Sequence, residues 1–435
     1  MKKNILTIGL LSLALYSSAQ DVNKLIKEDD VRKVINTLAA DDMQGRATFT
    51  PGIEKAAKFI ESEFKKAGLE PLAGNADYRQ NFKMTRVAPV NSKATIDGVS
   101  IPAENIVIQS GTALNWNNDT TVAIKHIAAG QNMIAEYRTI RRSAKKAIII
   151  VDPSLEATFR QLQQALGHGT TSLKTPTATG PQLVFVLGAF PNAKNLTVSS
   201  EIKTDMLPLF NVAGMIKGKT KPDEYVIFSG HYDHLGIIKP MEGDSIANGA
   251  DDDASGTTAV ITLAHYFKKL NNNARSIIFV AFTAEEIGEY GSAYFATQVD
   301  PIKVSAMFNI EMIGKASKFG QNSAIITGYE RSDFGPILQK NLEGTAFKFY
   351  PDPYKEQNLF YRSDNASLAR VGVPAHTIST DQIDIDKLYH TVKDEVGSLD
   401  VANITATIRA IALSSKTIVA GTDTPTRIPP ASLER

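Results

Sequence analysis

Five short stretches carry groups that can do hydrolytic chemistry, and four of them come after an apolar run. His231-Tyr232-Asp233-His234 ends the run from Tyr225 to Phe228, with Ser229-Gly230 as the break. Asp251-Asp252-Asp253 lies between Gly249 and Gly256, just ahead of a helical pattern. Glu285-Glu286 follows the run ending at Phe282, Glu311 follows Ile310, and Tyr389-His390-Thr391 comes after the run from His376 to Ser379. Imidazoles and carboxylates gathered without thiols are the donor set of a hydrolytic site holding one or two zinc ions. The sequence contains no cysteine. That excludes disulfides, thiolate zinc sites and cysteine nucleophiles, and leaves any metal to His, Asp and Glu.

Taken singly, these stretches leave alternatives open. Two adjacent carboxylates after a buried strand cannot point the same way. One can bind metal while its neighbour faces a water as general base. Glu285-Glu286 is equally compatible with two exposed glutamates at a helix start, favoured there by the helix dipole. The triple aspartate reads either as part of a metal site or as an ordinary helix N-terminus. It lacks the spaced acceptors and terminal glutamate of an EF-hand calcium loop. His234 reads as a packing or supporting residue, and His265, beside an apolar helical stripe, as structural. His126 and His168 have no acidic neighbours at ligand spacing and read as surface or packing residues. Arg46, in the turn Met43-Gln44-Gly45-Arg46, is read as structural rather than substrate-facing.

The elements that must position these groups follow from periodicity. From Asn211 onward, strands are expected at Tyr225 to Ser229, Ser276 to Phe282, Ala306 to Ile310, Ala324 to Gly328 and His376 to Ser379. Between and after them the helical pattern covers Gly256 to Leu270, Ser292 to Gln298, Asp333 to Leu342, Asn365 to Val371 and Ser398 to Ala420. Such alternation predicts an α/β fold, a mostly parallel mixed central sheet with helices on both faces. Ligand groups in such sheets gather at the C-terminal ends of the strands. Two scaffold helices precede it: one capped by Asp29-Asp30 with apolar Val31, Val34, Ile35 and Leu38, the other running from Pro51-Gly52 to a stop at Gly68.

Between about 91 and 205 the texture becomes short β-type runs with one helical pattern, Glu156 to Leu166, which predicts an inserted β-rich subdomain. The basic run Arg138, Arg141, Arg142, Lys145 and Lys146 within it reads as a solvated face. The expected organisation is therefore a leader at 1–19, the first part of the main domain at 20–90, the insertion at 91–205, the catalytic domain at 206–421 and a loose Pro/Thr-rich tail at 422–435.

Lys plus Arg number 47 and Asp plus Glu 46, so no net field directs the chain to nucleic acid or an anionic membrane. Met1-Lys2-Lys3, the apolar run Ile5 to Tyr16 and Ser17-Ser18-Ala19 have the three zones of a secretory signal peptide, with cleavage expected after Ala19. The apolar run is too short to span a bilayer, and the lack of cysteine removes a lipoprotein anchor. The expected location is the periplasm or outside the cell, with no membrane partner.

In order and spacing, His231-Tyr232-Asp233, Gly249-Ala250-Asp251-Asp252-Asp253-Ala254-Ser255-Gly256, Phe282 to Gly288, Asn309-Ile310-Glu311-Met312-Ile313-Gly314 and Tyr389-His390-Thr391 resemble the co-catalytic di-zinc aminopeptidase and glutamate carboxypeptidase family of metallopeptidases. The likeness covers about Asn211 to Ala420, the opening helices with Gly45-Arg46 also resemble the family's N-terminal segment, and the insertion is similar to the family's protease-associated domain in position and texture. The resemblance implies a zinc exopeptidase-like fold and two zinc ions. Asp252 would bridge them, His231 and Glu311 would complete one site, and Glu286 and His390 the other. It further implies Glu285 as general base, Asp233 as the group orienting His231, and Tyr389 near the developing oxyanion. Glu311 stands where the family usually carries aspartate, which shifts that carboxylate by one methylene. Asp364, in Arg362-Ser363-Asp364-Asn365, falls in a loop near the family's substrate pocket. The implied activity is an exported aminopeptidase acting on peptides through a metal-bridging hydroxide. Carboxypeptidase or dipeptidase action and glutaminyl cyclisation are the alternatives within the family, and a non-catalytic receptor-type module is the alternative outside enzymes.

Overall fold

A computed structural model describes residues 22–167, 169–174 and 180–429. The expected signal peptide and His168 lie outside them. Among the described residues no helix is long and apolar enough to cross a membrane. The chain divides into two compact units, Lys83–Pro208 and the remainder.

The larger unit is built on a mixed sheet. Across it run Lys348–Pro351, Ser323–Ile326, Ala375–Ser379, Val304–Ile310, Lys221–His231, Arg275–Phe282 and the end of Leu196–Ile216. The four central strands from Ala375–Ser379 to Arg275–Phe282 are mutually parallel, and Val212–Ile216 closes one side antiparallel to Ile277–Ala281. Strand runs of Val, Ile and Phe with no polar alternation are what a sheet covered on both faces requires. Successive side chains point to opposite faces, and the packing follows that period. Val226, Phe228, Ile277, Phe279, Ala306 and Phe308 join the core beneath Glu28–Leu38, Pro51–Ala67, Gly256–Leu270 and Val401–Ser414. Ile227, Ile278, Val280 and Met307 join Phe295, Leu368 and Ala369 on the other face. At the centre, the Phe228 ring lies 4.8 Å from Phe308, 5.3 Å from Phe267 and 5.7 Å from Phe279. Truncating Phe228 to alanine should cost about 3–5 kcal/mol, a Tm drop on the order of 10 °C in calorimetry.

The register sets the site. His231 is paired with Phe282, Ser229 with Asn309, and Asn309 with Thr377. Because these strands are parallel, their C-terminal ends lie abreast, and the loops bearing Asp233, Glu285, Glu311 and the 380–394 segment leave the sheet along one edge.

The smaller unit has a four-stranded sheet ordered Ile106–Gln109, Gln182–Leu187, Lys146–Val151, Ala123–Ile127. Ile148, Ile150, Val184 and Val186 pack on one face, and Ile149, Val151, Leu183 and Phe185 on the other. Besides the expected helix, Glu156–Gly167, it contains one that periodicity did not predict, Met133–Ser143. Only Met133 and Ile140 of that helix are buried, too few to print an apolar stripe, and Asn132 caps it by accepting from the Ala135 amide at 3.1 Å.

Two further expectations are corrected. The pattern Ser398 to Ala420 is two helices, Val401–Ser414 and Lys416–Val419. The described part of the tail is fastened rather than loose. The Asp423 carbonyl accepts from Arg275 at 2.7 Å, the Val304 carbonyl accepts from Arg427 at 2.9 Å, and Ile428 is buried. A Pro/Thr-rich composition does not reveal such contacts, because they are made by main chain and by scattered side chains such as Thr424, Arg427 and Ile428.

Candidate metal centre

Three consecutive aspartates do three different things. Asp253 is buried and its carboxylate joins three loops: it accepts from the amides of His231 (3.1 Å), Gly256 (3.0 Å) and Met312 (3.1 Å). A Cβ on Gly256 would meet the Ile310 carbonyl at 2.0 Å, so glycine is needed for that approach. Asp251 turns away, accepts from the Gly314 amide at 2.7 Å and pairs with Lys315 at 3.1 Å. Asp252 alone meets the imidazoles His231 and His390.

Around Asp252 the imidazoles and carboxylates converge. One of its oxygens is 3.1 Å from His231 Nε2 and the other 3.2 Å from His390 Nε2. Glu286 lies 3.1 Å from His390 Nε2 and accepts from, or donates to, His234 Nδ1 at 2.6 Å according to the proton's position. Two sets of ligand atoms each lie within 4.8 Å of one another: His231, Asp252 and Glu311, and His234, Asp252 and Glu286. The residues predicted as ligands thus share one cluster, with Asp252 common to both sets. His234 enters it as well. Expected as packing or support, it sits buried against Glu286 as a supporting residue would, though its place three residues after His231 does not reveal which residue it meets.

Asp233 differs from expectation. Its carboxylate is 3.9 Å from His231 Nδ1, beyond hydrogen-bond reach, and the imidazole instead meets the Asp233 carbonyl at 3.1 Å. The carboxylate accepts from the Glu285 and Glu286 amides at 3.1 and 3.3 Å and from Thr48 at 3.2 Å. It therefore positions the two-glutamate loop, while main chain orients His231. Tyr389 stacks on His390, ring centroids 3.9 Å apart, and lines a recess with Glu311, Met312 and Ser363. Asp364 is buried close by.

The electrostatics are those of a cradle that favours cations. Burial pushes the Glu285 carboxyl well above its ordinary range; His231 pulls it down, but Glu311, Asp364 and Asp252 add to the rise. Burial likewise raises Glu311, to about 7. At His390 burial opposes the charge, but hydrogen bonds to Asp252 and Glu286 outweigh it and bring the imidazole to about 10. His231 is raised against its burial by Asp252 and the surrounding carboxylates. The buried atoms His231 Nε2 and Glu311 Oε2 make no hydrogen bond. Buried carboxylates in such excess are costly unless paired with cations, and the donor types, nitrogen and oxygen without sulfur, fit zinc.

A pH prediction follows. Protons on His390 and Glu311 compete with a cation, so uptake must release them and apparent affinity must rise as pH goes from about 7 to about 10. Calorimetry of zinc binding in buffers of different ionisation enthalpy counts the protons released. In the metal-free protein, the raised His390 contributes stability present in full below its ordinary value and lost as pH rises through about 10.

Similarity to known proteins follows the same residues. The sequence signature described as peptidase family M28 matches residues 211–414. A stretch of 109 residues is 36% identical to a probable zinc metalloprotease of Pyricularia oryzae, covering 25% of this chain and 21% of that one. Over 206 residues the chain is 30% identical to leucine aminopeptidase 1 of Ajellomyces capsulatus, covering 44% of this chain and 51% of that one. The chain thus spans between about a fifth and a half of the length of these curated relatives. Among solved structures, an aminopeptidase from Aneurinibacillus sp. strain AM-1 shares the fold with a TM-score of 0.56 at 17% identity, covering 96% of this chain and 98% of that one. The stretch that matches peptidase family M28, residues 211–414, holds every histidine and carboxylate of the cluster.

Proposed function

We propose that this protein is an exported metallo-exopeptidase that removes N-terminal residues from peptides and holds two zinc ions. The observation that carries the reading is the Asp252 carboxylate, whose two oxygens face separate imidazoles at 3.1 and 3.2 Å, each with its own glutamate beside it. His231 and Glu311 would hold one ion, Glu286 and His390 the other, and Asp252 both. Bound there, zinc would supply Lewis acidity for the scissile carbonyl and would lower the pKa of water. Relatives described as a zinc metalloprotease and a leucine aminopeptidase support both the metal and the reaction.

The chain's own groups supply the rest. Glu285 stands in the cluster with its amide fixed by Asp233. It takes the proton of the attacking water and delivers it to the leaving amine. Asp233 holds both glutamates in register, and Thr48 supports Asp233 from the N-terminal segment. The Tyr389 hydroxyl, kept protonated by burial and by the charges of Asp252 and Glu311, can donate to the oxyanion as it develops. The signal peptide expected at 1–19 supports export.

The test is turnover of aminoacyl anilides, N-blocked dipeptides and N-terminal glutaminyl peptides by zinc-loaded protein. Release from aminoacyl anilides alone is the expected result. Preference for N-blocked dipeptides would make it a carboxypeptidase, cyclisation of glutaminyl peptides a cyclase, and inertness toward all three a non-catalytic module.

A further inference from the structure

Arg46 is among the largest fully buried side chains, and none of the ion pairs among the described residues involves it. Its guanidinium donates only to carbonyls: Nε to Tyr232 at 2.8 Å, Nη1 to Leu38 at 2.8 Å and Asn248 at 2.6 Å, and Nη2 to Gly249 at 2.9 Å. Tyr232 adjoins His231, and Gly249 lies three residues before Asp252. The Arg46 carbonyl accepts in turn from the His234 amide at 3.3 Å. The turn is set hard against its surroundings, since a Cβ on Gly45 would stand 2.4 Å from the Ala247 carbonyl.

The same segment is gripped from its other side. Where Arg46 takes carbonyls, Asp394 takes amides: its carboxylate accepts from Asp251 at 2.9 Å and Asp252 at 3.1 Å, and its carbonyl accepts from Ala250 at 3.0 Å. Asp394 lies on the segment that bears His390.

We infer that Arg46 and Asp394 form a clamp on the peptide units of residues 248–252, and that this clamp positions Asp252 between His231 and His390 before any metal arrives. Neither residue is a ligand or touches substrate; both act through backbone. A planar guanidinium has five donors spread over three nitrogens and here holds four carbonyls of three separate segments, whereas an ammonium has only three donors, all on one nitrogen. A preformed cradle binds tightly because no ordering cost remains to be met on binding. Loss of residues that orient metal ligands typically weakens metal binding by about 10–100-fold.

The inference rests on the zinc reading above, and its test separates the two. Zinc affinity of the metal-free full chain is measured by chelator competition, and Tm in the absence of metal, for wild type, Arg46→Lys and Arg275→Lys. Arg275 is the control: it too is fully buried and donates to carbonyls, of Ile418 and Asp423, but it begins its strand, at the end away from His231. The expected result is zinc affinity lowered about 10–100-fold in Arg46→Lys, with Arg275→Lys losing Tm but keeping wild-type affinity. Wild-type affinity in Arg46→Lys, or an equal loss in Arg275→Lys, overturns the clamp. Should Arg46→Lys not fold, Asp394→Asn, which keeps its size but presents a donor to one of the two amides, must show the same loss; wild-type zinc binding there overturns the clamp. A wild-type chain that takes up no zinc overturns the metal reading, and the clamp with it.

Discussion

Replacing Glu285 with glutamine will leave the metal content unchanged and lower turnover of aminoacyl substrates by about 10²–10⁴-fold, the usual contribution of a general base. The asymmetry comes from the loop. Glu286 points to His234 and His390, whereas Glu285 belongs to neither of the close ligand sets. Glutamine keeps the shape of the side chain and the amide held by Asp233 but cannot accept a proton. Burial raises this carboxyl when no cation is near; bound cations favour the ionised form the role requires. Zinc counting by plasma mass spectrometry and steady-state assay of the same preparation check the prediction. Turnover indifferent to the substitution would remove Glu285 from the mechanism.

The second large effect is at Asp252. Asparagine offers one carbonyl oxygen and one donor, so it cannot present an acceptor to both sides of the cluster. Asp252→Asn should lower zinc affinity by more than about a hundredfold, since residues that merely orient ligands account for about 10–100-fold, and should abolish turnover. The contrast with Glu285→Gln matters most: one variant keeps the metal and loses chemistry, the other loses both. In the metal-free chain Asp252 is held well below the carboxylate range, because the His231 and His390 imidazoles beside it outweigh its burial. Both histidines should therefore become easier to deprotonate in Asp252→Asn, a shift NMR titration of the imidazoles would follow.

Much of this arrangement is legible in the chain because it is local. A short apolar run ending at His231, glycines on both sides of an acidic triplet and a glutamate pair after Phe282 each announce a strand end or helix start within a few residues. Parallel strands then bring those ends to one edge, so irregular sequence spacing becomes spatial proximity. Contacts with no local pattern stay hidden. Arg46 lies 186 residues from Tyr232 and 203 from Gly249, and it reads only main-chain carbonyls, which every residue type offers. Asp394 is hidden for the same reason, since its partners are amides. The reach of His234 to Glu286 is not legible either, because adjacency to a stronger candidate says nothing about direction. The carboxylate of Asp233 was assigned to its neighbour His231, whereas it meets amides 52 and 53 residues away. The strand Lys348–Pro351 and the helix Met133–Ser143 bury too little to impose a period.

The central claim is two cations sharing Asp252. Crystals of the zinc-loaded protein, measured with anomalous scattering at the zinc absorption edge, test it most directly. Two peaks about 3.5–4 Å apart, one beside His231 and Glu311 and the other beside Glu286 and His390, with the Asp252 carboxylate between them, are the predicted result. A single peak, or zinc bound away from Asp252, would contradict it.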